Sequence, residues 1–225
     1  MKQDIIKFNF KFNNSDFFVS EKNELAYTMI KSWPNWSNRF VYVYGPDKCG
    51  KSQICSIWRE LSKCVIINKV NFSEKLLNLN DIEYIRSENW VIDDVDYIVE
   101  FNDNFYQEKI LNLINIIKTS NESHMLMTAK KIPKLLHSNL KDLISRLSAS
   151  MVVEMNDPDE SLIKKIIEKY LSDRNIYISE EELNYLICRI ERSYKSAIKV
   201  AKLVDEKSLQ NKRKINKLFL KTIIE

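Results

Sequence analysis

The chain has 225 residues, 44% hydrophobic and 11% aromatic, which is enough apolar material to bury a core and excludes a disordered chain. Its 35 Lys and Arg against 31 Asp and Glu leave a formal charge of +4, too mild to argue for nucleic acid by itself. The length allows one large domain, or a moderate domain with a small one.

The segment Ile6-Lys7-Phe8-Asn9-Phe10-Lys11-Phe12 alternates apolar and polar residues and is predicted to be extended. A helix follows Ser20, with Leu25, Met29 and Ile30 on its inner face, and ends before Pro34. "RFVYVYG" reads as a short buried strand, and the helix after it spans Lys51 to Leu61. "CVIIN" (64–68), "NWVIDDVD" (89–96), "HMLMTA" (124–129) and "SMVVEM" (150–155) read as four further strands. Tyr106, Ile110, Leu113, Ile114 and Ile117 recur at helical spacing before the fourth strand. Strands alternating with helices imply a parallel sheet covered on both faces.

After Met155 the composition changes and only helices are predicted. Asp157-Pro158-Asp159-Glu160 offers a capping residue, a proline at the first helical position and a Glu three residues on. Ser179 and Glu182 repeat the capping-box spacing, and helices over 193–207 and 216–224 complete the set. A boundary near residue 155 divides an α/β part from a small helical bundle.

The four cysteines, Cys49, Cys55, Cys64 and Cys188, form no C-x-x-C pair, and the chain has two histidines. A zinc site is therefore not expected, and a reduced chain is. No apolar run approaches the roughly eighteen residues of a membrane span. "MKQDIIKFNF" lacks the apolar centre of a signal peptide. The expectation is a soluble, cytoplasmic protein with no membrane partner.

The chain contains two glycines, where average usage would give roughly fifteen. Both stand in Gly45-Pro46-Asp47-Lys48-Cys49-Gly50-Lys51-Ser52, the G-x-x-x-x-G-K-[ST] spacing of a phosphate-binding loop. A strand precedes this loop and a helix follows it, the context the motif requires. Backbone N–H groups would converge on phosphates at the helix N-terminus, where the dipole favours negative charge. Lys51 would reach the β- and γ-phosphates and the Ser52 hydroxyl would help hold Mg²⁺, which makes ADP or ATP the expected ligand.

Asp93 and Asp94 end a buried strand beside the loop. One carboxylate would bind Mg²⁺ through water and its neighbour would orient an attacking water; the alternative is two strand-end acids in a turn. Thr128 would sense the γ-phosphate, or be satisfied by its own backbone. Arg146 in "DLISRL" would project toward a partner's nucleotide, or form an ordinary surface pair. Arg192 and Lys195 share a helix face, so either would lean over the phosphates. The C-terminal lysines lack aromatic interleaving, and no sequence-specific DNA binding is expected.

These elements together resemble the AAA+ module of the DnaA/Hda family, and within it the short Hda-type regulators, the alphaproteobacterial ones most of all. The resemblance runs from about Gln3 to the C-terminus. Its marks are "SDFFVSEKNELA" (15–26), "SWPNW" (32–36), "VYGPDKCGKSQICSIWR" (43–59) and "WVIDDVD" (90–96). They continue in "LMTAKKIP" (126–133), "LKDLISRL" (140–147), "MNDPDESLIKKIIEKYLSDRNIYIS" (155–179) and "ERSYKSAIKV" (191–200). It implies an α/β AAA+ P-loop domain with a five-stranded parallel sheet over 15–155, and an all-α lid over 156–225. It assigns Lys51 and Ser52 to Walker A, with Gln53 beside them among the nucleotide-binding residues, Asp93 and Asp94 to Walker B, and Thr128 to sensor I. Arg146 becomes the arginine finger, and Arg192, or alternatively Lys195, becomes sensor II. Phe18 and Val19 fall in the linker beside the adenine, with Ser52 and Asp93 toward Mg²⁺.

Residues 1–14 are read as a peptide for the DNA polymerase III sliding clamp (beta subunit). There Gln3, Ile6 and Phe8 fit a Q-x-x-[LI]-x-F form, and an edge strand fits nearly as well. On this resemblance the chain is expected to begin at the linker and stop after the lid. The twenty or so residues before "WVIDD" look too few for an extra initiator helix, so an initiator role is not expected. The implied function is ADP binding, attachment to the clamp, and presentation of Arg146 to ATP on DnaA; a homo-oligomer is compatible with this. The rival is an active ATPase of the DnaA or helicase-loader type. One departure stands out: the family loop has glycine where this chain has Lys48. If residue 48 must take the left-handed conformation, lysine costs about 1–2 kcal/mol there.

Overall fold

The computed structural model describes residues 17–101, 104–211 and 215–224. Gln3, Ile6 and Phe8 lie outside the described residues.

Five strands, β1 (Phe40–Tyr44), β2 (Val65–Ile67), β3 (Trp90–Ile92), β4 (Met125–Ala129) and β5 (Met151–Glu154), form one parallel sheet in the order β2-β3-β4-β1-β5. Parallel strands covered on both faces read as apolar runs rather than as alternating ones, and every residue of β4 is buried. The two-residue period then divides each strand between two cores. Val41 and Val43 face one core with Val91, Leu126 and Val153. Helices α1 (Glu24–Lys31) and α2 (Lys51–Ser62) cover that face, with Ile54, Ile57 and Trp58 of α2 in the same core.

Tyr42, Trp90, Ile92, Met125 and Met127 face the opposite core. There α3 (Phe72–Leu77), α4 (Ile82–Ser87), α5 (Val95–Val99), α6 (Asn104–Thr119) and α7 (Lys141–Ser148) pack. Trp36 stacks on Trp58 with ring centroids 5.1 Å apart, which ties the stretch before β1 to α2.

Three local expectations are corrected. Leu25 is 62% exposed, and α1 instead buries Ala26 and Ile30. The interval between β2 and β3 holds two helices of six residues each, α3 and α4, so its length does not exclude an additional helix. The cap before the first helix of the C-terminal part is Asp159, whose carboxylate accepts the Leu162 N–H at 2.7 Å. Asp157 and Pro158 precede that helix.

The C-terminal part consists of α8 (Glu160–Ser172), α9 (Glu180–Ile187), α10 (Tyr194–Asn211) and α11 (Lys217–Ile224). Leu162, Ile166, Leu183, Ala197, Val204 and Leu220 belong to a third core. Phe18, far earlier in the chain, packs against it. The capping box of α9 is formed as expected, with Ser179 N–H donating to Glu182 Oε2 at 2.8 Å and Ser179 Oγ accepting the Glu182 N–H. Such a cap stabilises a helix by about 1 kcal/mol. Among the described residues, no helix is long and apolar enough to cross a membrane.

The sheet order places β1 between β4 and β5, with chain connections leaving on both sides. The C-terminal end of such a strand opens into a crevice where α/β sheets bind ligands. The loop 45–50 stands there.

Candidate functional site: the loop between β1 and α2

The loop holds its shape through two backbone constraints that only glycine meets. A Cβ on Gly45 would lie 2.0 Å from the Met155 carbonyl oxygen, so the backbone after β1 passes too close to the end of β5 for a side chain. Gly50 caps α2 with φ 107°, in the region L side chains rarely adopt. The helix ladder of α2 begins with Gln53 and Ile54 N–H donating to the Gly50 carbonyl, so the N–H groups before them lie outside it at the positive end of the helix dipole.

Lys51 opens α2 and is 6% exposed. Its Nζ donates to the carbonyls of Gly45 (2.8 Å) and Pro46 (2.6 Å), which keeps the ammonium inside the loop. Ser52 is exposed and Gln53 half-buried one residue further along α2. Cys49 is buried 4.0 Å from the ammonium, and burial pushes its thiol pKa up. Asp47 accepts from Lys130 Nζ at 2.9 Å, a hydrogen bond that holds its carboxyl below the usual range.

The acids after β3 meet the loop helix through a side chain that sequence reading overlooked. The Cys55 thiol of α2 lies 3.8 Å from Asp93 Oδ1. Thr128 is fully buried on β4; its hydroxyl donates to Asp93 Oδ1 at 2.5 Å and accepts the Asp94 N–H at 3.0 Å. The threonine is thus satisfied by the neighbouring strand's acids and not by its own backbone. Asp94 has φ 59° and begins α5. Burial, then Asp93 and Asp96, raise its carboxyl above the ordinary value. Asp96 is 5% exposed; its Oδ2 accepts the Lys130 N–H at 3.1 Å, while its Oδ1 has no hydrogen-bond partner.

The two candidate arginines sit elsewhere, each on an acid of its own. Arg146 on α7 places Nε 3.7 Å from Asp142, one turn earlier, and that nitrogen makes no hydrogen bond. Arg192, before α10, lies 3.8 Å from Glu160 with its side chain 68% exposed. Lys195 is exposed one turn on. The C-terminal part meets the loop instead through Tyr194, whose ring carbon stands 3.4 Å from where a Gly50 Cβ would be.

Tyr194 also fastens the segment that contains Phe18 and Val19. Its hydroxyl donates to the Phe18 carbonyl (3.1 Å) and accepts from Asn23 Nδ2 (2.7 Å), and Asn23 is 2% exposed. Burial pushes the tyrosine pKa up, which keeps the hydroxyl a donor. No spacing in the sequence marks Asn23 or Tyr194, because their link joins residues 171 positions apart. Two cavities lie apart from the loop: about 400 Å³ between α4 and α6, and about 210 Å³ beside the start of α10. Among the described residues, no group of three or more His, Cys, Asp or Glu side chains is placed to hold a metal ion.

No protein-family model matches the chain. An uncharacterized protein of Haemophilus influenzae is 28% identical over 221 residues, covering 93% of this chain and 91% of that one. The chromosomal replication initiator protein DnaA of Campylobacter jejuni is 26% identical over 196 residues, covering 79% of this chain. The match spans 44% of that DnaA, less than half its length. Among solved structures, domain III of Thermotoga maritima DnaA superposes with a TM-score of 0.77 at 20% identity, covering 94% of this chain and 96% of that one. AMPPCP-bound DnaA from Aquifex aeolicus gives 0.75 at 21% identity, over 89% of this chain and 66% of that one. The fold is therefore the AAA+ fold of DnaA domain III, with weak sequence similarity to DnaA.

Proposed function

We propose that this chain binds an adenine nucleotide at residues 45–53 and acts in the control of replication initiation, as an Hda-type regulator. The supporting observation is the loop itself: on a DnaA domain III-like fold, Gly45 and Gly50 occupy the positions where only glycine fits, with Lys51 at the start of α2. One solved neighbour of this fold is a DnaA bound to AMPPCP. The N-terminus of α2 and the Lys51 ammonium suit a polyphosphate, since fixed N–H dipoles and a cation complement an anion without reorganisation.

On this reading Phe18 and Val19 flank the base, Lys51 neutralises phosphate charge, and Thr128 keeps Asp93 and Asp94 fixed beside the phosphates. Mg²⁺ would be held by Ser52 and Asp93 and would supply charge neutralisation. Arg192, or Lys195, would approach the phosphates from the start of α10. Gln3, Ile6 and Phe8 would attach the chain to the sliding clamp, and Arg146 would reach ATP bound on DnaA. The guanidinium then stabilises charge that develops as the γ-phosphoryl group departs, a contribution that reaches about 10³–10⁵ in rate for such arginines. The division into a clamp peptide (1–14), an α/β nucleotide domain (15–155) and a lid (156–225) belongs to the same proposal.

The test follows hydrolysis of DnaA-bound ATP with clamp-loaded DNA and this protein present. Wild-type protein should accelerate it, and Arg146→Ala should abolish the acceleration while leaving ADP binding intact. Full stimulation by the variant would remove Arg146 from the mechanism.

One observation favours a second reading, an ATPase in its own right. Asp94 is a half-buried carboxyl with a raised pKa next to Asp93, the condition under which a carboxylate accepts a proton more readily. Sustained ATP turnover by the purified chain, lost in Asp94→Asn, would establish it; stably bound ADP favours the regulator.

A further inference from the structure

The loop carries a second lysine, and the C-terminal part holds it. Lys48 has φ 67°, and its Nζ lies 3.1 and 3.0 Å from the two carboxylate oxygens of Glu191. Glu191 stands just before α10 and accepts a further hydrogen bond from Ser196 Oγ at 3.3 Å. A left-handed backbone disfavours lysine relative to glycine. The ion pair is exposed, its two side chains 40% and 60% accessible, and pairs of that kind contribute little to stability. The pair does not offset the strain, so stability does not account for a lysine at this position.

The surrounding charges give it another use. Lys51 is held by the Gly45 and Pro46 carbonyls, and Arg192 by Glu160. Each of these three cations is thus engaged by an oxygen of the protein itself. Lys48 is the one whose partner is an exposed carboxylate on the turn leading into α10, the helix whose Tyr194 rests on Gly50. A phosphate group at the loop presents that ammonium with a second anion.

We propose that Lys48 is a phosphate-binding side chain and that its pair with Glu191 is a latch between the loop and the C-terminal part. Nucleotide phosphate and Glu191 compete for one ammonium, so occupation of the loop frees the turn at 189–193. The carboxyl of Glu191 is held below its ordinary pKa, by the Lys48 hydrogen bond first and the Lys48 charge second, as a carboxylate committed to that cation should be. The latch rests on the nucleotide reading above.

The test is a double-mutant cycle read by ADP titration calorimetry on the full chain. Glu191→Gln should tighten ADP binding by about two- to fivefold, the range an exposed ion pair supplies. Lys48→Gln should weaken it, and adding Glu191→Gln to Lys48→Gln should then change nothing. Amide hydrogen exchange over 189–196 without nucleotide should be faster in Glu191→Gln than in wild type. Unchanged ADP affinity in Glu191→Gln overturns the latch. Equal tightening with and without Lys48 also overturns it, because Glu191 would then act only as a distant negative charge. Absence of ADP binding by the wild-type chain is a different result, and overturns the nucleotide reading itself.

Discussion

Thr128 Oγ1 lies 2.5 Å from Asp93 Oδ1 and 3.0 Å from Asp94 N, so a single hydroxyl fastens the acids after β3 to strand β4. It donates to a carboxylate and accepts from an amide, and both partners are half-buried. Thr128→Val keeps the shape and removes both bonds. The loss should be about 1–3 kcal/mol, since the Asp94 N–H loses its acceptor and Asp93 Oδ1 keeps only the long Cys55 thiol contact. Thr128→Ser should recover most of it. Urea unfolding of the three proteins checks this, and a valine variant as stable as wild type would refute the role.

Gly45 tests the close approach of the loop to β5. A Cβ there would meet the Met155 carbonyl at 2.0 Å, a backbone atom that side-chain rotation cannot move aside. Gly45→Ala should destabilise the fold by about 1–3 kcal/mol, as overpacking does. Thermal unfolding measures it.

Asp94 should limit stability at neutral pH. Its carboxyl pKa is raised by burial, Asp93 and Asp96. An acid whose pKa is higher folded than unfolded loses stability as it ionises. That penalty is absent below the unfolded pKa of about 3.9, grows between the unfolded and folded values, and is complete once pH has risen through the folded one. Asn tolerates the left-handed conformation found at this position. Asp94→Asn should therefore melt higher than wild type at pH 7 and equally at acid pH. A variant no more stable at pH 7 would contradict the like-charge crowding.

Lys51 should decide ligand binding. At a hundredfold excess of ADP over Kd, mass action stabilises a binding protein by about 2.7 kcal/mol. For a chain of this size that is a melting shift of about 5–10 °C. Lys51→Ala should abolish the shift, and an undiminished one would remove Lys51 from the site.

The features legible in the sequence are those made by neighbours in the chain. Gly45 to Ser52, the short buried strand in "RFVYVYG", and the Ser179–Glu182 box each depend on residues a few positions apart. Backbone sterics and helix capping act over that range, so spacing alone carries them. The alternation of strands with helices along the chain likewise implies a parallel sheet covered on both faces, and the five strands form one.

Tertiary packing decided the rest. Leu25 has the right character for a buried helix face, yet the direction of α1 against the sheet turns it outward and Ala26 inward. Asp157 and Asp159 offer the same capping chemistry; packing of α8 determines which of them starts the helix. The contacts that shape the site join Thr128 to Asp93 across 35 positions, Lys48 to Glu191 across 143, and Asn23 to Tyr194 across 171. No local propensity encodes such pairs. They exist because burial of three apolar cores brings the ends of the strands, the segment from Phe18 to Asn23 and the start of α10 to one place.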